Sequence, residues 1–192
     1  EVMRNRQVQL LMLADVCDLW GYHFLSSFAP TFFTTECGMS LEQSSLLFSI
    51  FPLAGLGAGL LCGFWMSRVG LRKPFTWPMH LLIFAGTLMM ALGSGWLRIA
   101  GLFLAGFGNA GWSPALYTIP MEFKGMTPLK CGVAYSFIFA IGHLAGFLSP
   151  VVGGWLGERL SLGTAMVIFS FAALLAAWAT FRMEETGQRR RH

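Results

Sequence analysis

Charged residues are scarce in this sequence, at 11% of 192 residues, whereas an average soluble domain carries about 25%. Cysteine is also scarce: the four cysteines form no CxxC pair and no metal-ligand spacing with histidine. Apolar residues make up 55% of the chain. These features exclude a water-soluble globule, a disordered chain and a disulfide-stapled domain. We expect no catalytic residues, no metal and no cofactor.

Apolar runs between charged or turn-rich breaks divide the sequence into segments of the length that crosses a bilayer. The six segments cover residues 8–33, 43–66, 75–92, 99–121, 129–155 and 164–181. Ser40 and Gln43 have the spacing of a capping box, and Pro128 suits the first position of a helix. The sequence therefore predicts an all-α membrane protein, with residues 1–192 forming a single bundle of six transmembrane helices.

The basic residues are segregated to one side of this predicted bundle. Only Arg98 and Arg159 fall on the side opposite to the termini. The side of the termini carries the other 11: Arg4, Arg6, Arg68, Arg72, Lys73, Lys124, Lys130, Arg182, Arg189, Arg190 and Arg191. Because positively charged loops stay cytoplasmic, both termini are predicted to be cytoplasmic, with residues 182–192 as a basic tail. We expect the lipid bilayer as a partner, no nucleic acid, and a location in a bacterial inner membrane.

An internal repeat links the two halves of the chain at an offset of 91 residues. Residues 46–68 and 137–159 share seven of 23 positions without a gap, including the block Leu53-Ala54-Gly55 and its counterpart Leu144-Ala145-Gly146. The copies are the second and the fifth spans, three spans apart in the chain. Because three is an odd number, the two copies cross the membrane in opposite directions. The sequence therefore predicts two inverted three-helix repeats, about 8–92 and about 99–181. Inverted repeats of this kind are typical of transporters.

Polar residues follow the same offset on the first span of each repeat. On the first span, four polar residues fall within an arc of about 80° of the helix: Asp15, Asp18, Tyr22 and Ser26. On the fourth span the matching stripe is Asn109, Ser113 and Tyr117. We expect Asp18, Tyr22, Ser26, Asn109, Ser113 and Tyr117 to line a substrate cavity.

Ionisable groups at membrane depth are costly, so each is a functional candidate. Asp15 and Asp18 could carry protons or contact a polar substrate, and they could also form a structural pair with another helix. His143 could titrate near neutral pH, although a histidine on an apolar helix is commonly a hydrogen-bonded packing residue. The hypothesis for Asp15, Asp18 and His143 is proton coupling.

The loop after the second span carries a recognisable motif. Residues 63–73 read GFWMSRVGLRK, which resembles the G-x-x-x-D-[RK]-x-G-[RK]-[RK] signature of the major facilitator superfamily. Gly63, Arg68, Gly70 and Arg72 match, Lys73 follows, and Ser67 stands where the family has an acidic residue. The resemblance implies that this loop packs between helix ends and acts in gating, with its charge pairing altered by the missing acid.

The resemblance also implies a secondary transporter that works by alternating access and carries a small polar solute. It covers half of a standard twelve-helix fold. The entry into the first span at residues 4–6 and the tail at residues 184–191 resemble the carboxy-terminal half. The expected partners are a small-molecule substrate and the other six-helix half, in the same polypeptide or as a dimer mate. Residues 108–123 and 142–156 are similar to helices of the cyanate-permease branch, which suggests a small anion or organic acid as substrate.

Two alternatives stay open at this point. Gly111-Trp112-Ser113-Pro114 and the segment around His143 are similar to the serine and histidine motifs of rhomboid proteases, which would give a six-helix intramembrane serine protease. However, Pro114 stands where the protease motif has glycine, and the repeat itself accounts for the residues after His143. The other alternative is a half-sized membrane protein that acts as a dimer.

Overall fold

The computed structural model describes residues 2–187, and the regular secondary structure of these residues is entirely helical. Two short 3-10 helices cover Val2–Arg4 and Lys73–Phe75. The α-helices are α1 (Arg6–Thr35), α2 (Leu41–Phe48), α3 (Ile50–Val69), α4 (Trp77–Leu92), α5 (Trp96–Gly111), α6 (Ser113–Glu122), α7 (Pro128–Arg159) and α8 (Leu162–Arg182). The basic residues Arg189, Arg190 and Arg191 lie outside the described part of the chain.

Side-chain caps fix several of the helix starts. The Ser40 side chain accepts a hydrogen bond from the Gln43 backbone N–H at 3.2 Å, and the Gln43 side chain accepts one from the Ser40 backbone, which confirms the predicted capping box. Thr127 caps α7 ahead of Pro128, which occupies the first helical turn as predicted. These local bonds satisfy backbone donors that the helices leave free.

Two predicted spans are interrupted by a single residue. Ser49 separates α2 from α3, and Trp112 separates α5 from α6. The second break has a clear cause, because Pro114 has no backbone N–H and its ring conflicts with the carbonyl four residues earlier. The chain therefore turns through Trp112 before α6 begins at Ser113.

Four stretches of the described chain are long and apolar enough to cross a membrane: Leu41–Val69, Lys73–Leu92, Pro128–Arg159 and Leu162–Arg182. The polar helix α1 and the broken pair α5–α6 are not among them. Large apolar side chains such as Leu60, Phe147 and Phe171 are exposed on the outside of the structure. A protein with these helices and this surface is an integral membrane protein.

Helix packing places α1 and α5 at the centre of the structure. α1 packs against α7 and α8, α5 packs against α3 and α4, and α4 packs against α8. At the α4–α5 crossing, a Cβ atom added to Gly86 would lie 2.5 Å from the Ala105 backbone nitrogen. Only glycine therefore allows these two backbones to approach so closely, as is typical of helix pairs in membranes.

Candidate functional site

A cavity of about 200 Å³ lies between α1, the α5–α6 pair and α7. Seven of its lining residues were predicted from the sequence: Asp15, Asp18, Tyr22, Asn109, Ser113, Tyr117 and His143. The other four are Leu19, Trp112, Leu116 and Phe139. The structure thus brings the polar stripe of α1 and the polar stripe of α5–α6 to one place.

Ser26 lies apart from the cavity. Its hydroxyl donates a hydrogen bond to the His23 carbonyl of its own helix at 3.2 Å. Ser26 shares the helix face of Asp18 but lies eight residues further along α1, a rise of about 12 Å. The expectation that Ser26 lines the same cavity as Asp18 therefore does not match the geometry.

Asp18 and Asn109 form the polar contact at the centre of the site. The Asn109 amide nitrogen lies 3.3 Å from each carboxylate oxygen of Asp18. Trp112, the residue at the α5–α6 break, lines the same cavity as Asp18. This arrangement fixes the carboxylate at the cavity wall.

Asp15 is more deeply buried than Asp18. Its side chain is 2% exposed, and its Oδ2 atom has no hydrogen-bond partner among the described residues. The carboxylate rests against Gly142 of α7, where an added Cβ atom would overlap Asp15 Oδ2. His143 interacts electrostatically with Asp15 across the same crossing. A buried carboxylate oxygen without a hydrogen-bond partner is uncommon in folded proteins, which makes Asp15 a candidate functional residue.

His143 belongs to a row of rings along α7 that the sequence analysis missed. Its Nδ1 atom lies 2.9 Å from the Phe139 carbonyl. The ring of Phe139 lies 6.3 Å from that of His143 and 5.8 Å from that of Tyr117. Tyr135 stacks on Phe139 and donates a hydrogen bond to the Tyr117 carbonyl. The four-residue spacing of Tyr135, Phe139 and His143 was the available signal for this row.

The cavity opens toward an uncovered side of the structure. Tyr22 is 37% exposed and Tyr117 is 54% exposed. Both also line a wider groove along α3, together with Asn109 and Ser113. Tyr22 and Tyr117 therefore face outward from this chain, next to a largely apolar helix surface.

The signature loop closes one end of the structure. Gly70 ends α3 with φ at +68°, a left-handed conformation that favours glycine. Arg72 is 8% exposed; its Nη2 atom lies 2.6 Å from Glu122 Oε1, and its Nη1 donates to the Met66 carbonyl. Glu122, at the end of α6, thus supplies the acid that Ser67 lacks.

The residues after α8 pack against this loop. The Glu185 carboxylate accepts hydrogen bonds from the backbone nitrogens of Arg72 and Lys73, at 2.7 and 3.0 Å. Thr186 donates to Glu122 at 2.9 Å, so the tail joins the same network. The other basic groups of the motif make ring contacts: Arg68 lies over Phe64 and Lys73 over Phe181.

The sequence matches the model of the Major Facilitator Superfamily over residues 11–192. The chain belongs to this superfamily. The match covers nearly the whole chain and includes both the signature loop and the polar cavity. Members of the major facilitator superfamily are membrane proteins, in agreement with the apolar helices described above.

Two curated relatives within the superfamily are transporters by name. The chain is 26% identical over 166 residues to "Probable galactarate/D-glucarate transporter GarP" of Escherichia coli (strain K12), covering 80% of this chain and 36% of that protein. It is 24% identical over 194 residues to "Probable anion transporter 2, chloroplastic" of Oryza sativa subsp. japonica, covering 90% of this chain and 34% of that protein. The chain spans about a third of the length of these relatives.

Solved structures of transporters share the fold. The fucose:proton symporter FucP of E. coli superposes with a TM-score of 0.81 at 16% identity, over 95% of this chain and 44% of that protein. A peptide transporter POT in complex with sulfate gives a TM-score of 0.83 at 16% identity over 92% of this chain. At this identity the likeness shows the fold alone. The proteins that the chain resembles are transporters and not enzymes, so the protease alternative is not favoured.

Proposed function

We propose that the chain forms one wall of a secondary active transporter that moves a small polar solute by alternating access. The observation that carries the proposal is the polar cavity between α1, α5–α6 and α7, within helices whose outer surfaces are apolar. The groups that converge there are a carboxylate, an amide, a hydroxyl and a histidine. Polar groups at membrane depth mark substrate and ion pathways.

The helix contacts support two inverted three-helix repeats, with α2–α3 and α5–α6 each counted as one span. The offset of 91 residues carries α1 onto α5–α6, α3 onto α7 and α4 onto α8. It therefore carries the α1–α7 contact onto the α5–α3 contact, and the α1–α8 contact onto the α5–α4 contact. The α4–α8 contact maps onto itself. A pattern that is unchanged by the exchange is expected of a pseudo-two-fold arrangement.

Individual residue pairs follow the same relation. Asp18 and Asn109 are related by the offset of 91 and hydrogen-bond to each other, as expected of a pair on the pseudo-two-fold axis. The offset also relates Asp15 to Gly106 and Phe51 to Gly142. The close approach of Gly142 to Asp15 therefore corresponds to the close approach of Gly106 to Phe51. These pairs support a substrate site between the two proposed repeats.

A second six-helix half is proposed to cover the open side of the cavity. The exposure of Tyr22 and Tyr117 and the chain's span of about a third of its relatives both favour this arrangement. The other half would belong to the same polypeptide, with this chain as the carboxy-terminal half, or would be a dimer mate. Transport would follow from rocking of the two halves about the central site.

The signature loop and the tail are proposed to lie on the cytoplasmic side of a bacterial inner membrane, together with both termini. The Arg72–Glu122–Thr186 network places the basic loop and the tail at the same end of the structure. Arg98 packs near Phe32 and Phe33, which lie at the far end of α1. This distribution agrees with the segregation of positive charge. The loop would act in gating by holding the helix ends together.

The proposed substrate class is a small anion or organic acid. The named substrates of GarP, galactarate and glucarate, are sugar acids with several hydroxyl groups. No lysine or arginine is among the described residues that line this cavity. We expect this wall to bind the hydroxyl groups through Asp18, Asn109 and the tyrosines, while cationic groups of the other half bind the carboxylates. The similarity to the cyanate-permease branch stays a prediction.

Uptake measurements test the proposal. The full-length protein that contains this chain would be reconstituted in proteoliposomes and supplied with radiolabelled galactarate or glucarate, with and without an acidic outside pH. We expect galactarate to accumulate, faster with the pH gradient than without it, and a protonophore to abolish the difference. Uptake that ignores the gradient would contradict coupling through Asp15, Asp18 or His143. Absence of uptake of both galactarate and glucarate would contradict the proposed substrate class.

A further inference from the structure

Two histidines meet at the crossing of α1 and α7. The ring centroids of His23 and His143 lie 6.5 Å apart, with their planes inclined by 64°. His143 is exposed and lines the cavity, while His23 is partly buried and follows Tyr22, another lining residue, on α1. The pair therefore lies at the edge of the cavity, within reach of a ligand that occupies it.

A glycine makes room for this pair. A Cβ atom added to Gly146 would overlap the His23 ring and lie 2.9 Å from its Nε2 atom. The offset of 91 residues carries His23 onto Pro114 and His143 onto Pro52, so the corresponding positions hold residues whose side chains bind no proton. Packing at this kind of helix crossing therefore does not require a histidine at either position.

The hydrogen bond of His143 identifies its proton-binding atom. Its Nδ1 atom lies 2.9 Å from the Phe139 carbonyl, and because a carbonyl oxygen only accepts hydrogen bonds, Nδ1 carries the hydrogen. The Nε2 atom of His143 is therefore the atom that binds the next proton. Within residues 2–187, no ion pair joins His23 or His143 to a carboxylate.

The surroundings of the pair contain acids but no permanent positive charge. Asp15, Asp18, Tyr22 and Tyr117 line the cavity together with His143, and Tyr135 lies further along α7. α8, which packs against both α1 and α7, has no charged residue before Arg182. Among the described lining residues, His143 alone can become positively charged, and His23 is its titratable neighbour.

We propose that the His23–His143 pair binds one carboxylate of a dicarboxylate substrate and takes up a proton from water as the carboxylate binds. Two protonated imidazoles repel each other, and an anion beside them offsets that repulsion. Each ring can then donate a charge-assisted hydrogen bond to the carboxylate. The proton returns to water when the anion leaves.

This inference rests on the proposed substrate class. It adds a carboxylate contact on this wall to the contacts expected from the other half. It also gives His23, which does not line the cavity itself, a role in substrate recognition through its neighbour His143.

Calorimetric titration of the purified full-length protein with galactarate at pH 7 and pH 8 tests the proposal. We expect the Kd of the wild-type protein to be about tenfold higher at pH 8, because one proton taken up above the ordinary range of histidine changes affinity tenfold per pH unit. In the double variant His23→Gln/His143→Gln the difference should shrink to about twofold or less, since glutamine keeps an N–H donor but binds no proton.

The substitutions should also weaken galactarate binding itself. At pH 7 we expect the double variant to bind about tenfold more weakly than the wild type, the size of losing a hydrogen bond to a charged group. Each single variant should bind at least about threefold more weakly, which keeps the test available if the double variant does not fold. Thermal unfolding in detergent identifies the folded variants.

Two controls isolate the carboxylate. Galactitol, which has the hydroxyl groups of galactarate but no carboxylate, should show no difference between the two pH values. Ser136→Ala changes an exposed residue of α7 whose hydroxyl bonds to the Gly132 carbonyl of its own helix. It should bind galactarate with the wild-type Kd at both pH values.

The outcomes separate this inference from the proposed function. A wild-type Kd that is equal at pH 7 and pH 8 would overturn the inference. So would a double variant that keeps the tenfold difference, because another group would then take up the proton. Single variants that bind as tightly as the wild type would overturn it as well. Absence of binding of both galactarate and glucarate by the wild-type protein would instead overturn the proposed substrate class together with the inference.

Discussion

Asp18→Asn is expected to lower gradient-driven galactarate uptake on the order of 100-fold in proteoliposomes, the size typical of losing a proton-transfer group. Asparagine keeps the size of the side chain but cannot bind and release a proton. Its amide oxygen can still accept a hydrogen bond from Asn109, so the change removes the proton-binding group and keeps a polar contact. Initial uptake rates at several outside pH values are the measurement.

The control for this change is Glu42→Gln, which neutralises an exposed acid in α2 at a distance from the cavity. It should transport at the wild-type rate with the wild-type pH dependence. Asp18→Asn protein that takes up galactarate at the wild-type rate with an unchanged pH profile would show that Asp18 carries no proton in the transport cycle.

Arg72→Ala is expected to lower the free energy of unfolding by about 3 kcal/mol. Arg72 is nearly buried and bonds to Glu122 through both Nε and Nη2, and to the Met66 carbonyl through Nη1. Its removal leaves the Glu122 carboxylate with Thr186 as its remaining donor among the described residues. Breaking a buried ion pair from one side is costly because the remaining charge has lost its partner.

Chemical unfolding of the purified protein in detergent measures this effect. Arg68→Ala is the matched control, since Arg68 belongs to the same motif but is exposed and only lies over the Phe64 ring. Its removal should change the unfolding free energy by no more than about 0.5 kcal/mol. Equal effects of the two substitutions would contradict the role of Arg72 as the centre of the network.

Much of the fold follows from local sequence patterns. The apolar runs predicted the helices, and the Ser40 and Thr127 caps lie where their spacing placed them. The polar stripes of α1 and α5–α6 converge in one cavity because side chains three or four residues apart share a helix face. The offset of 91 residues between Asp18 and Asn109 was visible in the sequence, and these two residues are in contact.

The remaining features depend on contacts that no local pattern encodes. Glu122 replaces the missing acid of the signature from 50 residues away, and Glu185 bonds to the same loop from 113 residues away. The Ser26 prediction used the helix face but ignored the rise along the axis. The ring contact between His80 and Trp112 joins residues of different helices, which the apolar pattern did not reveal.

Access to the cavity from both sides of the membrane is the most direct test of the account. Ser113→Cys, in a full-length protein whose native cysteines are replaced, including the four of this chain, would be treated with a membrane-impermeant maleimide from each side. We predict that Ser113→Cys is labelled from either side and that galactarate changes the ratio of the two labelling rates. The control is Ile168→Cys on the outer face of α8, whose labelling should be insensitive to galactarate. Labelling of Ser113→Cys from one side only, unaffected by galactarate, would contradict alternating access at this site.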